Sequence, residues 1–207
     1  MEYLPLIGTV ALLNLLAAVS PGPDFVMTVR NSLCYSRRAG IFTSLGISVA
    51  LGVHLFYCAA GIGYIISTSQ VLFSVIKWIG AGYLIYMGVG SLLAKGSKLD
   101  LIDELKGPDL TRMQAFKMGF LTNVLNPKAT LFFLSLFTLV IGNSTPVYII
   151  LIISAIIILT AFTWFTIVSI FLAQQNVQKA FLKYERVINL TLGGFLILLG
   201  IKIAWPF

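Results

Sequence analysis

Two prolines, a glycine and an acid interrupt the first long apolar run of this chain. The run extends from Leu4 to Val29, and the interruption reads Ser-Pro-Gly-Pro-Asp over residues 20–24. Each proline removes a backbone donor and clashes with the carbonyl one turn earlier, while Gly22 permits backbone angles that other residues avoid. The sequence therefore predicts two half-helices in place of one continuous helix.

The composition places this break in a membrane protein. Hydrophobic residues make up 58% of the 207 residues and charged residues only 10%, which is far more apolar than a soluble domain. Segments long enough to cross the hydrocarbon layer, about 20 residues each, lie near residues 4–29, 39–66, 71–93, 115–140, 146–173 and 187–206. We therefore predict an all-α integral membrane protein with about six transmembrane helices. We predict that residues 1–207 form a single transmembrane domain, because these segments leave almost no length for a separate soluble catalytic domain.

A second break lies in the fourth apolar segment, where the sequence reads Asn-Val-Leu-Asn-Pro-Lys over residues 123–128. Lipid offers no partner to freed backbone groups or to charges, so both breaks should face protein or a water-filled cavity. The two asparagines are three residues apart and share a helix face if helical. The predicted substrate-binding or proton-coupling residues are Pro21, Gly22, Pro23, Asp24, Asn123, Asn126, Pro127 and Lys128, and we predict no metal or cofactor.

The net charge of +7 reflects how the chain is oriented in the membrane and does not indicate a nucleic-acid partner. Basic residues are concentrated in the connections at residues 30–38, 95–117 and 179–186, whereas the alternate connections at 67–75 and 142–146 carry no charge. This is the positive-inside pattern. It predicts that the basic connections are cytoplasmic and that both termini are external.

The two halves of the chain resemble each other. The segment Gly82–Gly88 aligns without a gap with Gly194–Gly200, at corresponding places in the third and sixth apolar segments. Three spans per half would make the halves run in opposite directions, which predicts a 3+3 inverted repeat with broken first and fourth helices. The repeat halves are then residues 1–94 and 115–207, joined by a cytoplasmic linker at 95–114.

Three other features of the apolar segments have competing interpretations. The small residues Ser44, Ser48 and Gly52 recur at intervals of four, which favours close helix packing. His54 can relay protons, but beside small packing residues it is more often a satisfied core residue. The fifth segment carries a hydroxyl stripe that either faces the transport pathway or joins helices: Thr160, Thr163, Thr166 and Ser169.

With these motifs the chain resembles the lysine exporter (LysE) superfamily, specifically its RhtB-type amino-acid exporters. The resemblance rests on Ser-Pro-Gly-Pro-Asp at 20–24, on the glycine-punctuated segment from Arg38 through Gly46 and Gly52, and on Asn-Pro-Lys at 126–128. It covers essentially the whole chain. It implies an exporter of amino acids in the bacterial inner membrane, driven by the proton gradient.

The residues themselves also favour transport. Asp24 and Lys128 complement the two ends of an amino-acid zwitterion, and Asp24 can take up a proton when its surroundings become apolar. Two alternatives stay open at this point: a passive channel for amino acids or small solutes, and a membrane assembly protein without transport activity. An intramembrane enzyme would need a nucleophile with a base or a metal cluster, and one histidine with two separated cysteines does not supply either. The sequence leaves the preferred amino acid and any homo-oligomer undetermined.

Overall fold

The computed structural model describes residues 3–20, 22–93, 109–140, 145–171 and 175–205. Within these ranges the chain forms eight helices and no strand: α1 (Leu4–Val19), α2 (Pro23–Cys34), α3 (Arg37–Thr68), α4 (Gln70–Leu93), α5 (Arg112–Val124), α6 (Pro127–Val140), α7 (Val147–Phe171) and α8 (Gln175–Ala204). The predicted all-α class is confirmed. Most of the predicted linker lies outside the described residues. A reciprocal capping box between Thr111 and Gln114 starts α5 within the last part of that linker.

Four of the described helices provide membrane spans by length and composition. They are α4, α7, the part of α3 from Arg37 to Gly61 and the part of α8 from Arg186 to Ala204. Helices α1 and α2 meet the same test together, as one span bent by 55°. The remaining predicted segment contains α5 and α6, whose 13 and 14 residues are each too few to cross alone. That this pair crosses the membrane as a broken span stays a prediction.

The first predicted break is present between α1 and α2. Helix α1 ends at Val19, Ser20 is extended with ψ 131°, and Gly22 is extended with φ −169° before α2 begins at Pro23. Proline suits this first helical position, since its missing N–H would have no partner there anyway. Pro21 lies outside the described residues. A glycine, with no side chain to cap the helix, thus precedes α2.

The second predicted break is present between α5 and α6. Helix α5 ends at Val124 and α6 begins at Pro127, so the same residue type opens both second half-helices. Here the break has its own cap, because the side-chain Oδ1 of Asn126 accepts a hydrogen bond of 3.0 Å from the backbone N–H of Lys128. An asparagine with this bond favours a helix start whatever residue follows it.

Helix α3 lies at the centre of the bundle and packs against α2, α5, α6 and α7. Glycines bring α3 and α5 unusually close: a methyl group on Gly46 would overlap the backbone of Phe116, and one on Gly119 would overlap the backbone of Thr43. The close contact on α3 is thus made at Gly46 and not at the predicted Gly52, where a methyl group would meet only Ile158 Cδ1 at 3.8 Å. The packing of α3 extends to α7, where Ser44 Oγ lies 3.3 Å from Ser169 Oγ. This member of the hydroxyl stripe joins helices.

Helices α4 and α8 form a second close contact, and it is symmetric. A methyl group on Gly88 would lie 2.7 Å from the carbonyl oxygen of Gly193 and 2.6 Å from Ile197 Cγ1. One on Gly200 would lie 2.8 Å from the carbonyl oxygen of Ala81 and 2.7 Å from Ile85 Cγ1. These are the same contacts, transposed between the segments that align in the sequence. The matched contacts support the inverted repeat, which as a whole stays a prediction.

Candidate functional site

Both helix breaks border the same cavity. Residues of α1 and α2 line it together with residues of α5 and α6, and α3, α4 and α7 complete the wall. Its volume is about 60 Å³, which is enough for several water molecules. Its polar lining residues are Asn14, Ser20, Asp24, Asn123, Asn126 and Lys128. The cavity thus suits a small solute that carries polar groups.

The carboxylate of Asp24 joins the two breaks. Its Oδ2 atom accepts hydrogen bonds from Asn123 Nδ2 at 3.0 Å and from Asn126 Nδ2 at 3.1 Å. The two asparagines therefore point into the same space, at the acid of the other break, although Asn126 lies between α5 and α6 and they do not share a helix face. The second oxygen, Oδ1, is buried and has no hydrogen-bond partner among the described residues. Asp24 is a half-satisfied acceptor at the cavity wall.

Asn123 repeats this pattern from the other side of the cavity. It is only 1% exposed, and its side-chain Oδ1 is also buried without a partner in the described part of the chain. A buried acceptor without a hydrogen bond costs about 1–3 kcal/mol. The site therefore holds two buried acceptors, one on Asp24 and one on Asn123, that have no hydrogen-bond donor among the described residues.

Lys128 supplies the positive charge of the cavity. Its Nζ atom donates to Ser20 Oγ over 3.4 Å, a long distance for a hydrogen bond. Asp24 and Lys128 interact electrostatically, but in the described structure neither carboxylate oxygen of Asp24 accepts a hydrogen bond from the ammonium group. The two charges share a cavity without direct contact. Their action as a functional pair stays a prediction.

Gly22 leaves the space beside the lysine. A methyl group at this position would lie 3.2 Å from Lys128 Nζ and 3.7 Å from its Cδ. Carbon contacts are comfortable at about 3.5–4.0 Å, so any side chain here would crowd the ammonium group. The absence of a side chain at Gly22 keeps this side of Lys128 accessible.

The rest of the cavity wall is apolar. Its larger members come from α2, α3, α4, α6 and α7: Phe25, Ile47, Leu51, Met87, Phe132, Phe133 and Phe165. Three alanines of α1 and α7 leave room opposite these side chains: Ala17, Ala18 and Ala161. The charged groups therefore occupy one part of the cavity wall, and the rest of the wall is apolar.

Asn14 is a cavity residue that sequence reasoning missed. It lies within α1, is 3% exposed, and donates from Nδ2 to the backbone oxygen of Ile157 in α7 at 3.1 Å. One turn further along α1, the oxygen of Ala18 accepts a hydrogen bond of 3.1 Å from Trp164 Nε1. The two bonds join the end of α1 to α7. A signal was available, because an asparagine inside an apolar span faces protein or a cavity far more often than lipid.

His54 lies behind the cavity wall and is not one of its lining residues. The ring is 1% exposed, and its Nε2 lies 2.9 Å from the backbone oxygen of Asn123 at the end of α5. Its Nδ1 contacts the hydroxyl of Tyr57 and lies 3.5 Å from Thr130 Oγ1. Sequence reasoning identified a polar residue but not its position at the second break.

Six of the eight predicted site residues line the cavity: Gly22, Pro23, Asp24, Asn123, Asn126 and Lys128. Pro127 is exposed at the start of α6, outside the lining residues, and acts on the site only by helping to set where that helix begins. Pro21 lies outside the described residues. In the part of the chain that the structure describes, no three His, Cys, Asp or Glu residues are grouped as metal ligands would be.

Comparison with known proteins identifies a family over nearly the whole chain. The sequence profile of the LysE type translocator matches residues 15–205. This match contains both helix breaks and every polar lining residue of the cavity except Asn14. No solved structure matches the chain.

Several bacterial proteins are similar to the chain over most of its length. The membrane protein YrhP of Bacillus subtilis is 31% identical over 89% of this chain and 91% of its own. A threonine efflux protein of Salmonella typhi is 30% identical over 90% of this chain and 91% of its own. A homoserine/homoserine lactone efflux protein of Salmonella typhimurium is 30% identical over 65% of this chain and 64% of its own.

Proposed function

The chain belongs to the LysE type translocator family, and from this premise we propose that it is a secondary active exporter of amino acids or their close derivatives. It works by proton antiport across the bacterial inner membrane. One observation carries the proposal: the cavity between the two helix breaks contains a carboxylate with a free acceptor and an ammonium group with one long hydrogen bond. Opposite charges held apart in one small cavity fit the two ends of a zwitterion.

The substrate ammonium binds at the two unpartnered acceptors. Asp24 Oδ1 and Asn123 Oδ1 are both buried, and an ammonium group has three donors and no acceptor. Its three donors are enough for both oxygens. A hydrogen bond that involves a charged group is worth about 1.5–3 kcal/mol, so this contact supplies much of the affinity. In the empty site, a proton competes with the ammonium for the same carboxylate.

The substrate carboxylate binds at Lys128. The long bond from Nζ to Ser20 Oγ is easily exchanged for a charge-assisted bond to a carboxylate, which is shorter and about twice as strong as a neutral one. Ser20 then remains as a second donor. The open space at Gly22 leaves room for the carboxylate beside the lysine.

The cavity favours a small, uncharged substrate side chain. Its wall beyond the charged groups is mostly phenylalanine and alanine, and a second charge would find no partner there. A cavity of about 60 Å³ fits a small side chain better than a large aromatic one. The relatives named for threonine and homoserine efflux support this size class. Threonine and homoserine are therefore the first substrates to test.

The experiment is uptake of labelled amino acids into everted membrane vesicles, in which uptake corresponds to export from a cell. We expect accumulation above the external concentration when a proton gradient is present, and loss of accumulation with an uncoupler. Asp24→Asn should reduce uptake to the background of vesicles without the protein. Asp109→Asn is the matched control, since this exposed carboxylate accepts from Ser36 Oγ at 2.9 Å, away from the cavity. It should transport normally.

Two results would overturn the proposal. Uptake that only equilibrates across the membrane, with or without the gradient, would identify a passive channel. Vesicles that contain the inserted wild-type protein and take up no amino acid from a panel covering all side-chain classes would exclude amino-acid transport altogether.

A further inference from the structure

His54 is the one histidine of the chain, and its position is not needed for the cavity itself. The ring belongs to α3 and lies against the end of α5, with its Nε2 atom 2.9 Å from the oxygen of Asn123. A carbonyl oxygen only accepts hydrogen bonds, so Nε2 carries a proton. The neutral ring therefore has its lone pair on Nδ1, on the side that faces Tyr57 and Thr130.

The surroundings of Nδ1 suit either protonation state. The Tyr57 and Thr130 hydroxyls contact it, and a hydroxyl can donate to a neutral ring nitrogen or accept from a protonated one. Thr130 also has an alternative acceptor, the oxygen of Asn126 at 3.4 Å. Binding or losing a proton at Nδ1 therefore needs only that hydroxyl hydrogens rotate. Histidine is also the side chain whose ordinary charge change falls between pH 5 and 8.

Asn123 connects this ring to the substrate site. Its backbone oxygen accepts from His54, its side-chain Nδ2 donates to Asp24, and its Oδ1 is one of the free acceptors of the cavity. The ionisable groups with a described interaction with the ring are Tyr57 on α3 and Asp24 on α2. Asp24 interacts electrostatically with both His54 and Lys128. A charge on His54 is therefore felt at the carboxylate that binds the substrate ammonium.

We propose that His54 is a proton-binding site of the transport cycle, located behind the cavity wall and coupled to the bound amino acid through Asn123 and Asp24. This inference rests on the proposed function. In the substrate-free protein, Nδ1 binds a proton and the ring is an imidazolium. When an amino acid binds, its ammonium places a second positive charge near the ring. The Nδ1 proton then leaves through the hydroxyls to water, and Nε2 keeps its own proton on Asn123 O.

The protein allows a direct test, because one histidine gives one ring signal. The full chain is purified with an affinity tag free of histidine, and the ring is isotopically labelled and titrated by NMR. The probe is an amino acid that the vesicle assay shows to be transported, with threonine tried first. We expect a titration midpoint that moves to lower pH by about one unit with saturating substrate, which corresponds to a coupling of about tenfold in affinity.

A variant separates proton binding from positioning. His54→Gln keeps an N–H donor for Asn123 O but cannot bind a proton. We expect exchange of labelled for unlabelled substrate, which needs no gradient, to stay within about threefold of wild type, while gradient-driven accumulation falls about tenfold or more. Cys58→Ala, at a buried position on the next turn of α3, is the matched control and should preserve both activities.

An unchanged midpoint in the presence of a transported amino acid overturns this inference and leaves the proposed function intact. A ring that does not titrate between pH 5 and 9 overturns it as well, as does full gradient-driven accumulation by the glutamine variant. Failure of the wild-type protein to transport any amino acid counts instead against the proposed function.

Discussion

Gly119→Ala is expected to disable transport by separating α5 from α3. A methyl group at this position would lie 2.8 Å from the carbonyl carbon of Thr43 and 3.0 Å from its Cα. Carbon atoms pack at about 3.5–4.0 Å, so α5 must retreat by about 1 Å. The obstructing atoms are backbone atoms of α3, which a change of rotamer cannot move. The helix itself has to shift.

This shift reaches the site because Asn123 lies one turn after Gly119 in the same helix. A displacement of about 1 Å would stretch the 3.0 Å bond from Asn123 to Asp24 beyond hydrogen-bonding distance. Misplacement by that amount costs on the order of 100-fold where geometry controls a rate. Overpacking costs a further 1–3 kcal/mol in stability, roughly, which lowers the melting temperature by about 2–4 °C per kcal/mol.

The assay measures initial rates of gradient-driven uptake in vesicles together with thermal unfolding of the purified protein. Gly90→Ala is the control, because a methyl group there has no neighbour within 4 Å and alanine favours a helix by up to about 1 kcal/mol. It should transport normally and melt at or above the wild-type temperature. A Gly119→Ala protein with wild-type transport would show that α3 and α5 do not hold Asn123 in place.

Three further outcomes are expected from the cavity geometry. Asp24→Asn and Lys128→Ala should each abolish proton-driven export. The double variant should insert into the membrane better than either single variant, because an unpaired charge in a span costs about 2.5–3.5 kcal/mol. Strictly additive effects on protein level, measured on quantitative blots, would count against pairing of the two residues. Gly22→Ala should weaken substrate affinity about tenfold with little loss of stability, and affinity within twofold of wild type would show that the carboxylate binds elsewhere. Asn14→Leu should destabilise the purified protein by about 0.5–1.5 kcal/mol, since it removes the hydrogen bond that joins α1 to the oxygen of Ile157 in α7; an unchanged melting temperature would contradict this.

The sequence predicted both helix breaks because their causes are local. Proline at the first position of a helix, with glycine or asparagine before it, acts through backbone geometry that neighbouring helices hardly alter. The break after Val19 and the break after Val124 therefore appear where the prolines predict them. The lengths of the apolar segments located the other spans to within a few residues. The thickness of the bilayer fixes that length, and it does not depend on how the helices pack.

The contacts across the site depend on tertiary structure and were not predictable in the same way. Periodicity put Asn123 and Asn126 on one face, but nothing in the sequence shows that this face meets Asp24. His54 had two reasonable interpretations until the neighbouring helices were known, and Asn14 was not recognised as a site residue at all. The close approach of α5 to α3 depends on where Gly46 and Gly119 meet across the interface, which the spacing within one helix does not determine.

The position of Lys128 gives an independent reason to assign it to the substrate. Asp24 and Lys128 are each the second residue of a half-helix that begins with proline, so the proposed repeat places an acid and a base at equivalent positions. The positive end of a helix dipole favours the acid there and disfavours the base, by about 0.3–1 kcal/mol in each case. The helix dipole thus stabilises the charge of Asp24 at the start of α2 but destabilises the charge of Lys128 at the start of α6. The only described side-chain hydrogen bond of Lys128 is the 3.4 Å contact to Ser20. A carboxylate delivered by the substrate would reverse that balance, because it adds the negative charge that the start of α6 lacks.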